Sequence, residues 1–416
     1  QFADQNWVAS GAFSMSSIHG SNEAIARTQR SPVRHFDRID SDVLSVDAMK
    51  NSLQGFSTEM SIKKQGGDDH WLVAMTYSQT SPGYEVNDLG FQRRADLKWA
   101  GGVVVYREID PKFVRYYEFF GGYDSGWNYD GDNIRNSVLN GGYISFDNQW
   151  SFNYNFGYNF KQYNDRLTRG GPVLERPRDW NLFANINTDR SKDVSFNLGG
   201  NVRREVAGEY DNAVWFNFNY RPTSNIQFSF GPEYRNQVDV DQYIKAVEDA
   251  NATHTYGNRY VFSDIEQHTV SANIRLNWTF SPTMSLQTYV RPFISTGDFS
   301  RFKEVAEPYS YNYDIYGEDI GSITEQGGSY TIDPDGNGSS PSFTISDPDF
   351  NFRSLQGNAV FRWEYTPGST LYFVWQQQRE DYSRFGAFDL GDQLNDIFDA
   401  KPTNVFLIKL SYWFGS

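Results

Sequence analysis

The stretch QWSFNYNFGYNFKQ, residues 149–162, decides how the chain is read. Trp150, Phe152, Tyr154, Phe156, Tyr158 and Phe160 fall on one parity, and Ser151, Asn153, Asn155, Gly157, Asn159 and Lys161 on the other. A period of two is a strand with one apolar and one wet face. Six aromatics in succession exceed what a soluble sandwich places on one strand, and the opposite face carries nothing able to build a core. The setting this pattern fits is a closed sheet in a bilayer, with aromatic residues toward lipid and polar residues toward a watery lumen.

The same pattern extends outward on both sides. Asp147-Asn148 turns the preceding strand into the quoted one, and beyond the Gly170-Gly171-Pro172 loop come Trp180, Leu182, Ala184 and Ile186 against Asn181, Asn185 and Asn187. Pro222-Thr223-Ser224-Asn225, Ser281-Pro282 and Thr366-Pro367-Gly368-Ser369 are further short turns between alternating runs. Residues 113–123 form a strand whose faces are not assignable, because Glu118 spoils one parity and Arg115 the other. Counted along the chain there are about sixteen strands in eight hairpins, joined alternately by short turns and longer loops. The predicted fold is all-β: a transmembrane antiparallel up-and-down β-barrel with short periplasmic turns and long extracellular loops. Residues 1–416 form one domain, with outer loops near 19–51, 239–266, 297–354 and 381–402. Water-soluble up-and-down barrels and propellers share the regular strands and are the competing architecture.

Composition agrees with this reading. Aromatics make up 17% of the 416 residues while hydrophobics reach only 38%, as expected where half of each membrane strand faces water. No run of about 18 apolar residues exists, which excludes a transmembrane helix. Cysteine is absent, removing disulfides, thiolate metal sites and cysteine nucleophiles together. A net charge of -15 argues against nucleic acid, which needs a basic stripe. The acid concentrates in the loops, either as solvated surface or as cation-binding and solute-screening groups. An outer-membrane barrel must be exported, and Gln1 follows no signal peptide. The chain is therefore either a mature form or lacks an N-terminal segment.

The last strand carries a further signal. Phe406, Ile408, Leu410, Tyr412 and Phe414 alternate with Leu407, Lys409, Ser411 and Trp413, two residues from the end. This is similar to the terminal pattern that barrel-assembly machinery recognises, with Gly415-Ser416 departing from strict termination at the aromatic. Five stretches, GSNEAIARTQRS (20–31), SPGYEVNDLGFQRRAD (81–96), RGGPVLERP (169–177), DPDFNFRSLQGNAVFRWEYTPGSTLYFVW (347–375) and NVFLIKLSYWF (404–414), resemble an uncharacterised C-terminal barrel domain of large Gram-negative envelope proteins. In those proteins the barrel follows a carbohydrate-binding module of the family-9 type. The resemblance implies an outer-membrane location among lipid and lipopolysaccharide, and transfers no catalytic residue. It also implies that further strands precede the point matching Gln1, so a partner chain or a missing N-terminal segment completes the barrel if sixteen strands do not close. An unclosed first strand near Trp7 would leave an edge that lipid does not tolerate.

Candidate chemistry is sparse. His19, His35, His70, His254 and His268 show no metal-pair spacing and no adjacent serine nucleophile, so no enzyme and no cofactor are expected; a barrel hydrolase would need one of them, His254 or His268, at the strand tops. Asp333, Asp335, Asn337 and the glycines at 336 and 338 match the opening of a calcium loop, but the twelfth position is Thr344 instead of a bidentate Glu. Calcium in 333–338 is the one metal candidate, against an ordinary Asp/Gly turn. Lumen-facing charges are expected at Lys161, Arg203, Arg235, Arg275, Arg291, Arg362, Glu364 and Lys409, with Lys63, Lys98, Asp96, Glu108, Glu59 and Glu233. They read either as ion pairs bracing the wall or as a polar lining for hydrated solutes, sugars included, beside lumen aromatics such as Trp215 and Tyr289. The functional expectation is a porin-like channel for small hydrophilic solutes; the alternative is a closed structural barrel anchoring an envelope complex. The loop 297–354 is long enough to constrict a lumen of this size.

Overall fold

Alternation becomes pairing along the whole chain in the computed structural model, which describes residues 6–67 and 70–414; Asp68 of the first turn, Gln1, Gly415 and Ser416 lie outside the described residues. The wall begins with β1 (Trp7–His19), β2 (Ser52–Lys64), β3 (Trp71–Thr80), β4 (Leu97–Glu108), β5 (Tyr116–Trp127), β6 (Asn133–Ser145), β7 (Ser151–Asn159) and β8 (Asp179–Asn187). It continues with β9 (Val194–Glu205), β10 (Tyr210–Thr223), β11 (Ile226–Glu248), β12 (Asn258–Ser281), β13 (Met284–Val305), β14 (Phe350–Thr366), β15 (Ser369–Ser383) and β16 (Thr403–Ser411). Each pairs antiparallel with its neighbour in the chain, from β1 with β2 to β15 with β16. The fold is therefore the up-and-down antiparallel sheet of a transmembrane β-barrel.

Register keeps the two faces separate. Tyr154 stands opposite Gly142 and Ala184, and Phe156 opposite Leu182, so the aromatic parity of β7 joins the apolar parity of its neighbours. That face is the exposed one: on β9, Val194 and Leu198 are 48% and 46% exposed, whereas Ser195 between them is 3% exposed. A water-soluble sheet would bury the apolar parity. Glu118, which obscured the faces of β5, shares the inner parity and accepts the Tyr116 hydroxyl at 2.5 Å.

The sheet curls. On a flat meander at about 4.8 Å per strand, β1 and β13 would stand roughly 58 Å apart. Yet the loop after β1 and the loop after β13 meet on the same segment: Asp40 Oδ2 accepts the Val173 N–H at 2.6 Å, and the Val173 carbonyl accepts the Tyr309 N–H at 2.8 Å. No ladder joins β1 to β16 among the described residues, and β16 is exposed along its whole length.

The expected outer loops are more structured than their composition suggests. The stretch 239–266 is mostly strand, since β11 and β12 run 23 and 24 residues and leave only a short connection containing the turn Thr253–Thr255. Likewise β13 runs on to Val305 and β14 begins at Phe350, so much of 297–354 is paired; between them lies a small sheet of Ser322–Glu325, Ser329–Asp333 and Phe343–Ser346. The physical reason is that a ladder needs no apolar face once it has left the bilayer. Helix α1 (Asn22–Gln29), capped by the Ser21 hydroxyl, occupies 19–51, and α2 (Leu390–Asp399), capped by Asp389, occupies 381–402.

The hydrophobic cores lie in these outer parts. Val261, Phe302, Tyr316, Ile332 and Ile345 cluster where the small sheet packs on the extended strands. Leu174, Tyr260, Phe262 and Val305 form a second cluster, and Ile25, Phe36, Leu44 and Leu53 a third.

Candidate functional site

Two features occupy the inside of the sheet: an amide-lined wall and a buried ionic cap at its outer mouth. The wall is clearest across β7 to β10. Asn185 donates to Asn153 at 3.3 Å, Asn197 to Asn185 and, at 3.0 Å, to Asn187, and Asn217 to Asn197 at 3.3 Å. These amides share the inner parity, so cross-strand pairing stacks them into a band around the wall. Above it Phe183 stacks on Trp215 with ring centroids 5.5 Å apart. Gly199 lies beneath that pair, and a Cβ there would run into the indole. Beside the band a cavity of about 530 Å³ is lined by Asn197, Asn217, Asn219, Ser229, Asn273 and Arg275, among others.

The cap is built from loops of four hairpins. Arg38, 3% exposed, reaches Asp130, holds Asp40 at 3.1 Å and meets Asp165 at 3.4 Å. Arg94 grips both oxygens of Asp165 at 2.9 and 2.5 Å, and Asn128 donates to the same carboxylate at 3.3 Å. Arg166 donates to the Pro32 and Val33 carbonyls at 2.9 and 2.7 Å, tying the loop after β7 to the loop after β1. Burial would raise the Asp165 carboxyl, but the Arg94 guanidinium and its hydrogen bonds outweigh it and hold it below the usual range. Burial, reinforced by the Asp165 charge and opposed by the Tyr129 N–H, pushes Asp96 up to about 6. Burial beside Arg94 lowers Arg166 to about 10. Charges this deep hold only while every partner is present.

Several of the predicted lumen charges lie in ion pairs. Arg203 bonds Asp179 at 3.3 Å and Glu209 at 3.0 Å, Arg235 bonds Asp211 at 2.5 Å, and Arg362 bonds Glu364 at 2.7 Å. Arg275, Arg291 and Lys409 lie over the rings of Tyr289, Phe293 and Tyr372 at 5.0, 5.8 and 5.9 Å. Tyr289 is on the inner parity and donates to Asn273 at 2.9 Å. Lys161 stands apart: β7 ends at Asn159, and Lys161 bonds Glu175 at 2.5 Å in the loop beyond it. Lys98 and Glu108 share the parity of the exposed Val104 and so face outward, and Asp96 belongs to the cap.

Asp333, Asp335 and Asn337 lie where the strand Ser329–Asp333 leads into the connection to Phe343–Ser346. Asp333 Oδ1 accepts the Gly336 N–H at 3.0 Å and Asp335 Oδ2 the Ser340 N–H at 2.9 Å. His268 stacks on Phe388 at 4.7 Å and hydrogen-bonds around its ring with Tyr234, Asn236 and Glu266. The cap is the feature that residue-by-residue reading missed. Its signal was the pairing of arginines and aspartates in three loops, Arg38 and Asp40, Arg94 and Asp96, Asp165 and Arg166, where loop acid alone read as solvated surface.

No curated protein matches this chain significantly. Among solved structures it is similar to a bacterial polysaccharide outer membrane secretin, at 8% identity over 79% of this chain and 87% of that one, TM-score 0.31. It is also similar to the siderophore receptor PirA from Acinetobacter baumannii, at 9% identity over 86% of this chain and 64% of that one, TM-score 0.38. Scores of this size describe a general likeness and add nothing to the argument from strands and register. The family comparison reaches further, because one family matches residues 10–415 continuously, and the chain belongs to that family, described as Domain of unknown function (DUF5916).

Proposed function

We propose that this chain is an outer-membrane β-barrel of a Gram-negative bacterium that passes small hydrophilic solutes, carbohydrate among them, through a lumen gated at its outer mouth by the loop cap. The observation that carries this reading is the band of asparagine amides beside a cavity of about 530 Å³ on the inner face. Amides offer both donors and acceptors, so they exchange hydrogen bonds with a hydrated solute without holding it by charge. The stacked Phe183 and Trp215 rings add an apolar face of the kind on which sugar rings rest. Aromatics on the exposed parity support contact with lipid, and exposed Phe406, Ile408 and Leu410 support recognition by barrel-assembly machinery. Among the described residues β1 and β16 each carry a ladder on one side alone, which supports completion of the barrel by a partner chain or by a preceding segment of the same polypeptide.

Swelling of proteoliposomes in sugars of graded size tests the reading. The intact protein is expected to admit sugars slowly, and the Arg38→Ala/Arg94→Ala variant faster up to a sharp size limit. Failure of both to swell contradicts it. The buried cap itself favours a second reading, a closed barrel that anchors an envelope complex; vesicles tight to every sugar in both forms, with a partner co-purifying, support that one.

A further inference from the structure

Above the bilayer band, at the outer ends of β9, β10 and β11, a cavity of about 190 Å³ is lined by Glu205, Glu209, Asp239 and Asp241, with Arg176 and Arg203 at its side. The apolar parity of β11 runs from Ile226 to Tyr234, so Asp239 and Asp241 stand beyond it, outside the membrane-spanning part. The register of β11 against β12 shifts between Asp239 and Gln242, and this bulge re-aims the chain at Asp241. As a result Glu209, Asp239 and Asp241 each bring a carboxylate oxygen to within 4.8 Å of the others.

Three close carboxylates alone would be unremarkable on an acidic surface. Here a second observation points to a ligand. Glu205, which lines the same cavity, is 7% exposed; its Oε1 accepts the Ala207 N–H at 3.1 Å, while its Oε2 is buried with no hydrogen-bond partner. A buried carboxylate oxygen without a donor costs more than a satisfied one, and chains rarely leave it so. The nearby cations do not fill the need. Arg203 is committed to Asp179 and Glu209, and Arg176 reaches Asp179 at 3.6 Å. Five carboxylates thus face two guanidiniums. The hydroxyls of Tyr311 and Tyr313, which feel the charges of Asp241 and Glu209, are also buried without partners.

We infer that Glu205, Glu209, Asp239 and Asp241 form a calcium site that clamps the turn after β9 to the extended wall of β11. All-oxygen, carboxylate-rich donors select a hard cation. A flexible cage with four carboxylates suits calcium, whereas magnesium keeps its waters and disfavours an all-protein cage. The lining contains no histidine, which argues against zinc or copper. Because Asn164, Leu167 and Pro177 from the loop after β7 complete the lining, the ion also braces the segment that carries Asp165 and Arg166 of the cap. The site stands whether or not the barrel conducts.

Calorimetric titration of the full chain in detergent with calcium chloride, and melting with and without the ion, tests this. The intact protein is expected to bind calcium and to melt higher in its presence. Asp239→Asn/Asp241→Asn is expected to weaken binding at least about tenfold. That variant folds on its own account, because it removes repulsion and melts higher than the intact protein in chelator. Asp333→Asn/Asp335→Asn, which alters the hairpin connection, is expected to bind as the intact protein does. Undiminished binding in the cavity variant, loss confined to the hairpin variant, or absence of calcium binding by the intact protein overturns the assignment of the site, and an equal response to magnesium overturns the choice of ion.

Discussion

Asp165 carries the cap. It receives both terminal nitrogens of Arg94, one of Arg38 and the amide of Asn128, so the four loops of the cap are referred to a single carboxylate. Replacing Arg38 by Ala leaves Asp40 and Asp130 without their counter-charge and Asp165 with Arg94 alone, and is expected to cost about 3 to 5 kcal/mol of local stability. Amide exchange in residues 32–40 and 165–173 should quicken while exchange in β7 and β8 does not. Acid should act in the opposite sense. Asp96 is raised from 3.8 to about 6, so its contribution is complete below 3.8 and is lost as pH rises through 6. Burial raises Asp40 in the same direction, though the Val173 N–H and Arg38 oppose it. Asp165 is lowered, so its pairs fail only in stronger acid. The cap should therefore be tighter at pH 5 than at pH 8, with higher protection of the amides of residues 32–40 once the intrinsic pH dependence of exchange is divided out. Asp96→Asn should shrink the difference to the part that Asp40 supplies, and an unchanged pH dependence in that variant would refute the role given to Asp96.

Among elements, the wall strands were legible from side chains and the outer parts were not. β7 shows why: six aromatics on one parity leave a single reading, and the register opposite Ala184 and Leu182 keeps it. β5 was ambiguous because Glu118 and Arg115 interrupt both parities, an obstacle that vanishes once Tyr116 is seen to bond Glu118. The upper halves of β11 and β12 were read as loop because no bilayer imposes alternation above Tyr234. Of the candidate site, parity alone assigned Trp215, Tyr289, Arg203, Arg235, Arg275 and Arg362 to one face, and the register keeps them opposite the exposed apolar parity. The cap and the carboxylate cavity were not legible, because they are assembled from loops that only the curl of the sheet brings together. Parity also yields a paired test on β9. Leu198→Arg puts a charge against lipid and should cost about 2 to 4 kcal/mol in refolding into vesicles. Asn197→Arg on the wet face should cost little; equal penalties would show that the two faces are misassigned.

At the scale of the whole molecule, an antiparallel sheet with sixteen long wall strands among the described residues turns an apolar face outward, gathers amides inside, and draws loops from hairpins as distant as β1–β2 and β13–β14 over one end. The proposed gated channel assigns the amide-lined wall to passage and the buried ionic cap to closure. Single-channel conductance in planar bilayers tests this most directly. The intact protein should be closed for most of the time, with rare open steps that are shortened by oligosaccharide. Arg38→Ala/Arg94→Ala should give frequent steps of the same unit conductance, since it loosens the cap without touching the wall. Silence in both proteins, after insertion has been verified, would contradict the account.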